Sequence, residues 1–301
     1  MKPTFAFVTQ SYRKDIRECE LLCESIDRFA GPDVPHYIIV NDDDYELFRS
    51  NPAFARRHIH RKKELMPRYM MRLPFTMLGH RYRVSPFTIP VREWIEQQIC
   101  KLGIFSILPP EVEAVVNIDS ECVLLRPFGL DDISRVCPDG SREWMLYKRI
   151  YEDEPSHDQY CRVARSLLPL PASPDTDAYC YMAHPAVFVR ENLDALLEMI
   201  ASRSIFGSWK HKLCNTYRFS EYYLYGLCTD HLLGWRNHYP YDTRILPATH
   251  ISRFATPGEL RDTLQTLMST PGIYGAWLQK GKRTEQTLLH GEVAAVVREF
   301  F

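Results

Sequence analysis

Apolar and polar residues alternate in blocks whose lengths predict buried strands joined by amphipathic helices. The first apolar run covers residues 4–9, and a second covers 36–40. Between them, at 15–29, apolar side chains recur every three or four positions. Short continuous apolar runs are typical of strands covered on both faces, and the wider spacing is typical of a helix with one buried face. These blocks predict a β-α-β unit and therefore a parallel sheet.

A third apolar run, at 114–128, is interrupted by the carboxylates of Asp119 and Glu121. Residues 115–118 predict a buried strand that follows a helix predicted at 92–108, which gives a second β-α-β element. Both acids then lie at the strand's carboxyl end, where open α/β sheets bind ligands, and they indicate a divalent metal or a polyhydroxylated substrate. A strand followed by a solvated turn explains the same residues.

Polar side chains also follow the first two strands. They are Thr9, Gln10 and Ser11 after the first strand and Asn41, Asp42, Asp43 and Asp44 after the second. Because the carboxyl ends of parallel strands share one sheet edge, these residues can read the base and ribose of a nucleotide. The alternative is that the three aspartates cap a helix at 45–48.

The remainder of the chain continues the α/β pattern. Strands are predicted at 144–147, at 178–189 with a break at His184-Pro185, and at 243–247, and helices are predicted at 158–168, 192–200, 258–268 and 293–300. Prolines at 74, 86 and 90 predict an irregular, substrate-facing loop up to residue 91. His184 fits a structural hydrogen bond as well as a substrate contact.

Glu221 lies among three tyrosines and a leucine in the segment 219–226. Partial desolvation raises the pKa of a carboxyl group, which favours a role as general base. Ser220 can also be a helix N-cap with Glu221 in the first turn, and both interpretations can hold together.

Composition narrows the class of protein. The 301 residues are 45% hydrophobic and 25% charged with a formal charge of −1, which suits a globular chain and argues against nucleic-acid binding through bulk charge. No apolar stretch approaches about 18 residues, and Met1 to Thr4 lead directly into a strand, so we expect neither a membrane span nor a signal peptide. A cytoplasmic location is expected, with the nine cysteines as buried free thiols.

Residues 56–72 contain seven arginines and lysines among histidines and methionines. Such a segment can attract a phosphorylated or lipid-linked acceptor, or place the protein at the inner face of an anionic membrane. A solvated loop without a partner is the alternative.

The order of helix, Lys101, strand and Asp119-Ser120-Glu121 resembles that of the GT-A glycosyltransferases. Residues 100–119 look like the arrangement in glycogenin-like and lipopolysaccharide galactosyltransferases, in which a basic residue precedes an Asp-x-Asp motif at a strand end. The whole chain looks most like poorly characterised bacterial GT-A-like proteins found with surface-polysaccharide genes. Two departures are Glu121 in place of the second aspartate and the absence of a glycogenin-type ending.

This resemblance implies a GT-A-like, Rossmann-like and mostly parallel central sheet flanked by helices in one domain. Residues 1–128 would bind the nucleotide sugar, and residues 129–301 would bind the acceptor and supply the C-terminal helices. The implied reaction is metal-dependent transfer of a sugar, with a UDP-sugar as the expected donor, to a hydroxyl of a glycan or glycolipid in bacterial surface-polysaccharide synthesis.

The resemblance also assigns roles to single residues. Asp119, Glu121 and His250 would hold Mn²⁺ or Mg²⁺, with His290 as a rival to His250. The donor would contact Lys101, Asp119 and Ser120. Glu221 would be the catalytic residue.

Two other functions stay open. A nucleotidyl- or sugar-phosphate transferase shares the α/β layout and the need for a metal near carboxylates, and a non-catalytic GT-A-like scaffold would bind a glycan or partner without turnover. The first strand is not followed by a glycine-rich phosphate loop, which disfavours kinases and Rossmann dehydrogenases.

Overall fold

A mostly parallel five-stranded sheet forms the centre of the computed structural model, which describes residues 4–77, 79–151, 156–171, 178–280 and 288–301. The strands are β1 (Phe5–Ser11), β2 (His36–Val40), β3 (His58–Arg61), β4 (Met71–Arg72), β5 (Tyr82–Ser85), β6 (Thr88–Arg92), β7 (Ala114–Asn117), β8 (Cys122–Leu124), β9 (Ser134–Val136), β10 (Arg142–Tyr147), β11 (Arg149–Ile150), β12 (Tyr179–Cys180), β13 (Ala186–Val189), β14 (His238–Tyr241), β15 (Ala248–His250) and β16 (Gly275–Gln279). The helices are α1 (Ile16–Phe29), α2 (Tyr45–Arg49), α3 (Lys62–Leu65), α4 (Glu93–Leu102), α5 (Leu130–Ile133), α6 (His157–Leu167), α7 (Arg190–Ser202), α8 (Trp209–Cys214), α9 (Glu221–His231), α10 (Pro257–Ser269) and α11 (His290–Arg298).

The central sheet has the order β13-β7-β1-β2-β3. Strands β7, β1, β2 and β3 are parallel, and β13 is antiparallel to β7 at the edge. The predicted β1-α1-β2 unit is therefore confirmed. The chain then returns to the other side of β1 through α4 and enters β7, so the acid-bearing strand lies beside the first strand.

Both faces of the central sheet are covered, which explains its continuous apolar runs. In β1, Ala6 and Val8 pack on one face with residues of α4, α7 and α9, while Phe5 and Phe7 pack on the other face with Leu22 of α1. Side chains alternate between the faces of a strand, so only a strand covered twice needs apolar residues at successive positions.

The second half of the segment 74–91 is not the irregular loop that its prolines predict. Strands β4, β5 and β6 form a small antiparallel sheet in the order β4-β5-β6. Pro90 lies in β6, which is an edge strand, and an edge strand tolerates a residue without an N–H because one side of its backbone lies outside the ladder.

The strand predicted at 243–247 is also displaced. Its backbone bonds go to two separate elements, since Leu246 N–H donates to the His184 carbonyl and Tyr274 N–H donates to the Ile245 carbonyl, and the strand β15 begins only at Ala248. The helix predicted at 92–108 is shorter: α4 ends at Leu102, and a short 3-10 helix follows at Ile104–Ser106. The other predicted strands and helices occur with small changes of bounds.

All nine cysteines are free, and eight of them are buried, as the sequence predicts. Across the residues that the structure describes, no helix is both long enough and apolar enough to cross a bilayer.

Candidate functional site

A cleft of about 280 Å³ opens at the carboxyl ends of β1 and β7. Its lining comes from both halves of the chain: Gln10, Tyr12, Asp15, Trp94, Gln97, Gln98, Lys101, Asp119, Ser120, Glu121, Tyr160, Met182, His184, Ser220, Glu221, Tyr222 and Trp277. The cleft thus lies where the parallel sheet predicts a ligand, and it contains five of the sequence-predicted donor or metal residues together with Glu221.

Lys101 is the centre of the cleft's charge network. Its Nζ lies 3.0 Å from Glu221 Oε1 and 3.4 Å from Asp119 Oδ1, and it donates to the Tyr222 hydroxyl at 2.8 Å. Burial alone would lower the pKa of Lys101, but Asp119, Tyr222 and Glu221 together raise it well above its usual value. Lys101 therefore stays charged and holds two elements of the cleft, the β7 end and the start of α9, against α4.

Asp119 lies between two nitrogen groups. Besides Lys101, it faces His184, whose Nε2 lies 3.3 Å from Asp119 Oδ2. Burial would raise the pKa of Asp119, but these two neighbours lower it overall, so its carboxyl group is ionised. The pKa of His184 is lowered by burial, and its Nδ1 has no hydrogen-bond partner among the described residues. His184 therefore contacts the acid motif inside the cleft, and its predicted contact with a substrate stays a prediction.

Glu221 is the first residue of α9 and is 1% exposed. Burial raises the pKa of Glu221 despite the nearby Lys101. The amide nitrogen of Gln98, in the orientation that satisfies its polar atoms, donates to the same carboxylate. Ser220 is the N-cap residue as predicted, but its side chain makes no capping hydrogen bond.

Glu121 links the cleft to a second, smaller cavity of about 20 Å³. Burial and the charges of Asp15, Asp119 and Glu18 raise the pKa of Glu121 to about 7, although Lys280 opposes this. Lys280 Nζ lies 3.0 Å from Asp15 Oδ1 and 2.9 Å from Glu18 Oε1. This end of the cleft therefore has more negative charge from its carboxylates than the nearby cations neutralise.

The two histidines predicted as rival metal ligands lie in different surroundings. His250 ends β15, opposite Gln279 of β16, and is not part of the cleft lining. His290 shares the smaller cavity with Glu121, and its Nδ1 lies 3.1 Å from Glu18 Oε1. Over the described ranges, no three or more His, Cys, Asp or Glu side chains form a group that could hold a metal ion. Metal binding stays a prediction, with Asp119 and Glu121 as the pair that shares the cleft.

Four predicted nucleotide contacts lie outside the cleft lining. Thr9 Oγ1 lies 2.9 Å from His36 Nε2, and Ser11 is buried beside it in β1. Asn41 donates to Asp44 at 3.2 Å, and Asp42 pairs with Arg83 at 2.7 Å. These polar groups join β1 to the start of β2 and join the chain after β2 to β5. Nucleotide contact by these four residues stays a prediction, and only Gln10 of the two strand-end groups reaches the cleft.

The aromatic part of the cleft was not predicted from the sequence. It consists of Tyr12, Trp94, Tyr160, Tyr222 and Trp277. Tyr12 follows a strand that the sequence predicts, so its position at the sheet edge could have been predicted. Trp94 lies on α4 and Tyr160 lies on α6, and their rings stack with centroids 6.0 Å apart. No sequence pattern indicates that pairing.

The chain belongs to the family of unknown function DUF6492, whose model matches residues 5–256. Every residue that lines the cleft falls within this range except Trp277. No curated protein matches the chain.

Proposed function

We propose that this protein is a glycosyltransferase that moves a sugar from a nucleotide-sugar donor to a hydroxyl group of a glycan or glycolipid. The observation that carries the proposal is the single cleft in which Asp119, Glu121, Lys101 and Glu221 converge at the carboxyl edge of β1 and β7. Metal-dependent glycosyl transfer uses a pair of carboxylates to hold the cation, a base to accept the proton of the acceptor hydroxyl and flat side chains to contact sugar rings. This cleft contains all three kinds of group.

The charge of the cleft supports a cation as part of the substrate complex. Its described lining carries four carboxylates against one lysine, a formal charge of −3 with histidine neutral. A nucleoside diphosphate is itself an anion, so this cleft would repel it in the absence of a cation. Asp119 and Glu121 offer the hard oxygen ligands that Mg²⁺ and Mn²⁺ prefer, and a divalent ion also relieves the crowding that raises the pKa of Glu121. When bound, the ion would supply Lewis-acid neutralisation of the leaving diphosphate.

Lys101 and Glu221 have complementary roles in this proposal. Lys101 orients Asp119 through their ion pair and is the one fixed positive charge among the described residues that line the cleft. Glu221 accepts the proton of the acceptor hydroxyl, and burial favours this role because it raises the pKa of the carboxyl. The Gln98 amide and Lys101 hold the Glu221 carboxylate in one orientation.

The aromatic rings suit a carbohydrate. Sugar rings expose apolar C–H faces as well as hydroxyl groups, and Trp94 and Trp277 offer flat apolar surfaces on the lining. Gln10 Oε1 and His184 Nδ1 are buried polar atoms without a partner among the described residues, and buried polar groups are normally hydrogen-bonded. Hydroxyl groups of a substrate would satisfy both.

A binding and turnover assay tests this function. The purified protein is screened by thermal denaturation with UDP, GDP and CMP and their sugar conjugates, each with and without Mn²⁺. A donor that binds only the folded chain raises the midpoint, by a free energy that grows with ligand concentration. Release of free UDP or GDP, or of CMP from a CMP-sugar, supports glycosyl transfer. Release of pyrophosphate from a mixture of sugar phosphate and nucleoside triphosphate supports the nucleotidyltransferase alternative.

Glu221→Gln tests the proposed base directly. General-base catalysis typically contributes about 10²- to 10⁴-fold, so this variant should keep donor binding and lose most of its turnover. Glu113→Gln is the matched control, because Glu113 is an exposed carboxylate that precedes β7 and does not line the cleft. Near-normal transfer by Glu221→Gln would remove Glu221 from the mechanism.

A further inference from the structure

Two separate segments of the chain contain cations but no carboxylate. Residues 65–92 include five arginines without an Asp or Glu, and residues 199–220 include two arginines and two lysines, again without an Asp or Glu. The whole chain has a formal charge of −1, so positive charge is concentrated in these two segments. The composition of the full chain conceals this asymmetry.

The structure brings the two segments together and exposes apolar side chains on them. We use the term apolar patch for Tyr69, Phe87, Ile89, Ile205 and Phe206. Ile205 is 86% exposed, Phe206 is 63% exposed and Phe87 is 57% exposed. Single exposed apolar residues are ordinary, but adjoining ones mark an interaction surface.

Direct contacts show that the patch is continuous. The ring of Tyr69 meets that of Phe87 edge-on at 5.5 Å. His211 Nε2 lies 3.1 Å from the Phe87 carbonyl oxygen, and the same imidazole meets the ring of Phe206 at 4.6 Å. Asn215 of the same segment accepts from the Ile89 N–H at 3.1 Å. The β5-β6 hairpin and the chain around α8 therefore form one surface.

Unpaired cations surround this patch. Arg68 adjoins Tyr69, Arg203 precedes Ile205 by two residues, and Lys212 lies on α8. None of these three makes an ion pair within the described residues. By contrast, three arginines of residues 65–92 pair with carboxylates outside that segment. Arg72 and Arg81 both pair with Asp43, and Arg83 pairs with Asp42 and Glu96. Arg68, Arg203 and Lys212 therefore supply positive charge beside the apolar patch that no described carboxylate neutralises.

We propose that this patch docks the protein onto the surface of an anionic phospholipid bilayer. Exposed aromatic and aliphatic side chains bury themselves at the boundary between headgroups and acyl chains, and each nearby cation adds attraction to acidic lipids. A second copy of the chain would present the same cations to the patch, and like charges oppose that association.

The position of the patch relates it to the cleft. Ile89, Tyr217 and Arg92 line one cavity of about 280 Å³, and Tyr217, Arg92 and Trp94 line the next, of about 300 Å³. Trp94 also lines the candidate functional site. A line of adjoining cavities thus runs from the patch to the cleft, so a docked protein would present the cleft to molecules anchored in the bilayer. Bilayer docking itself does not depend on the proposed glycosyl transfer.

Vesicle binding tests the proposal. The full-length protein is mixed with unilamellar vesicles of phosphatidylcholine alone or of phosphatidylcholine with phosphatidylglycerol, and bound protein is measured by co-flotation. We expect binding to the anionic vesicles, weakened by salt of about 1 M, at which the Debye length falls to about 3 Å. Arg203→Gln with Lys212→Gln should reduce the partition coefficient about fivefold per cation. Phe87→Ser with Phe206→Ser should reduce it about tenfold per phenylalanine.

Two controls match these variants. Val136→Ser removes an apolar residue that is 62% exposed on β9, in a different sheet, and Arg49→Gln removes an exposed cation at the end of α2. Both should bind vesicles like the wild type. Failure of the wild type to bind anionic vesicles, equal binding to neutral ones, or full binding by the phenylalanine variant would each overturn the proposal. The proposal would also fail if the wild type formed an oligomer and bound no vesicles while the phenylalanine variant was a monomer, because the patch would then be a protein interface.

Discussion

Replacement of Lys101 by methionine should destabilise the fold in a pH-dependent way. Methionine keeps most of the length of the side chain but removes the charge that lies 3.0 Å from Glu221 and 3.4 Å from Asp119. Glu221 is 1% exposed, so its carboxylate would be left buried without a cation. Breaking a buried ion pair in this way costs about 3–5 kcal/mol. Asp119 adds less to the loss, because its side chain is 37% exposed and still faces His184.

The sign of the pH dependence follows from Glu221. Burial already raises the pKa of Glu221, and the charge of Lys101 opposes that increase. Removal of Lys101 therefore raises the pKa of Glu221 further. A carboxyl whose folded-state pKa exceeds its unfolded value of about 4.3 contributes stability that is present below that value and is lost as the pH rises through the folded pKa. The loss in Lys101→Met should therefore be small near pH 5 and large near pH 8.

Urea denaturation at both pH values measures this loss. Lys101→Met combined with Glu221→Gln should recover most of the stability at the higher pH, since the amide needs no counter-charge. Lys63→Met, at an exposed lysine, should change stability by no more than about 0.5 kcal/mol. A loss under about 1 kcal/mol that is the same at both pH values, or a double variant as unstable as the single one, would refute the reasoning.

Three further substitutions probe other parts of the fold, each by denaturation of the purified variant. In chelator-treated buffer, Glu121→Gln should raise stability more at about pH 8 than at about pH 5, because the folded pKa of about 7 makes the ionised carboxyl unfavourable; an equal change at both values would argue against that pKa. Gly275→Ala should destabilise by about 1–3 kcal/mol or more, since an added Cβ would overlap the backbone of β8, whereas Gly291→Ala in α11 should be neutral or stabilising; equal effects would contradict the close approach. Arg83→Met should cost about 3–5 kcal/mol of stability, because the carboxylate of Glu96, 2.6 Å from the guanidinium, would then be buried without its cation. A loss below about 1 kcal/mol would show that Arg83 and Glu96 do not form a buried ion pair.

Several parts of the fold were readable from the sequence because they depend on local pattern. The residues of β1, α1 and β2 have the periodicities of a buried strand and a one-sided helix, and the structure contains these elements in parallel order. The sequence also located Asp119 at a strand end, because an apolar run that stops at an acid in an α/β chain ends near the ligand-binding edge. The hairpin β5-β6 was missed, since prolines mark turns and edge strands alike.

The candidate site could be predicted only in part from the sequence. Lys101 was assigned to the donor from a resemblance, but its contact with Glu221, 120 positions later, arises when α4 and α9 pack side by side. The aspartates after β2 were predicted to share the ligand-binding sheet edge with Asp119, yet the structure pairs Asp42 with Arg83 and Asp44 with Arg13. Charge patterns in a sequence do not show which cations the fold brings near.

By itself, the sequence determined the α/β class, the parallel unit at the start of the chain and the location of an acidic strand end. Strand and helix periodicities are set by bonds between near neighbours, so they appear in the order of residues. The tertiary structure alone decided that Lys101, Asp119, His184 and Glu221 share one cleft and that two carboxylate-free segments form one apolar, cationic surface. Those contacts join residues far apart in the chain, and burial and desolvation, which set their energies, exist only once the chain has packed.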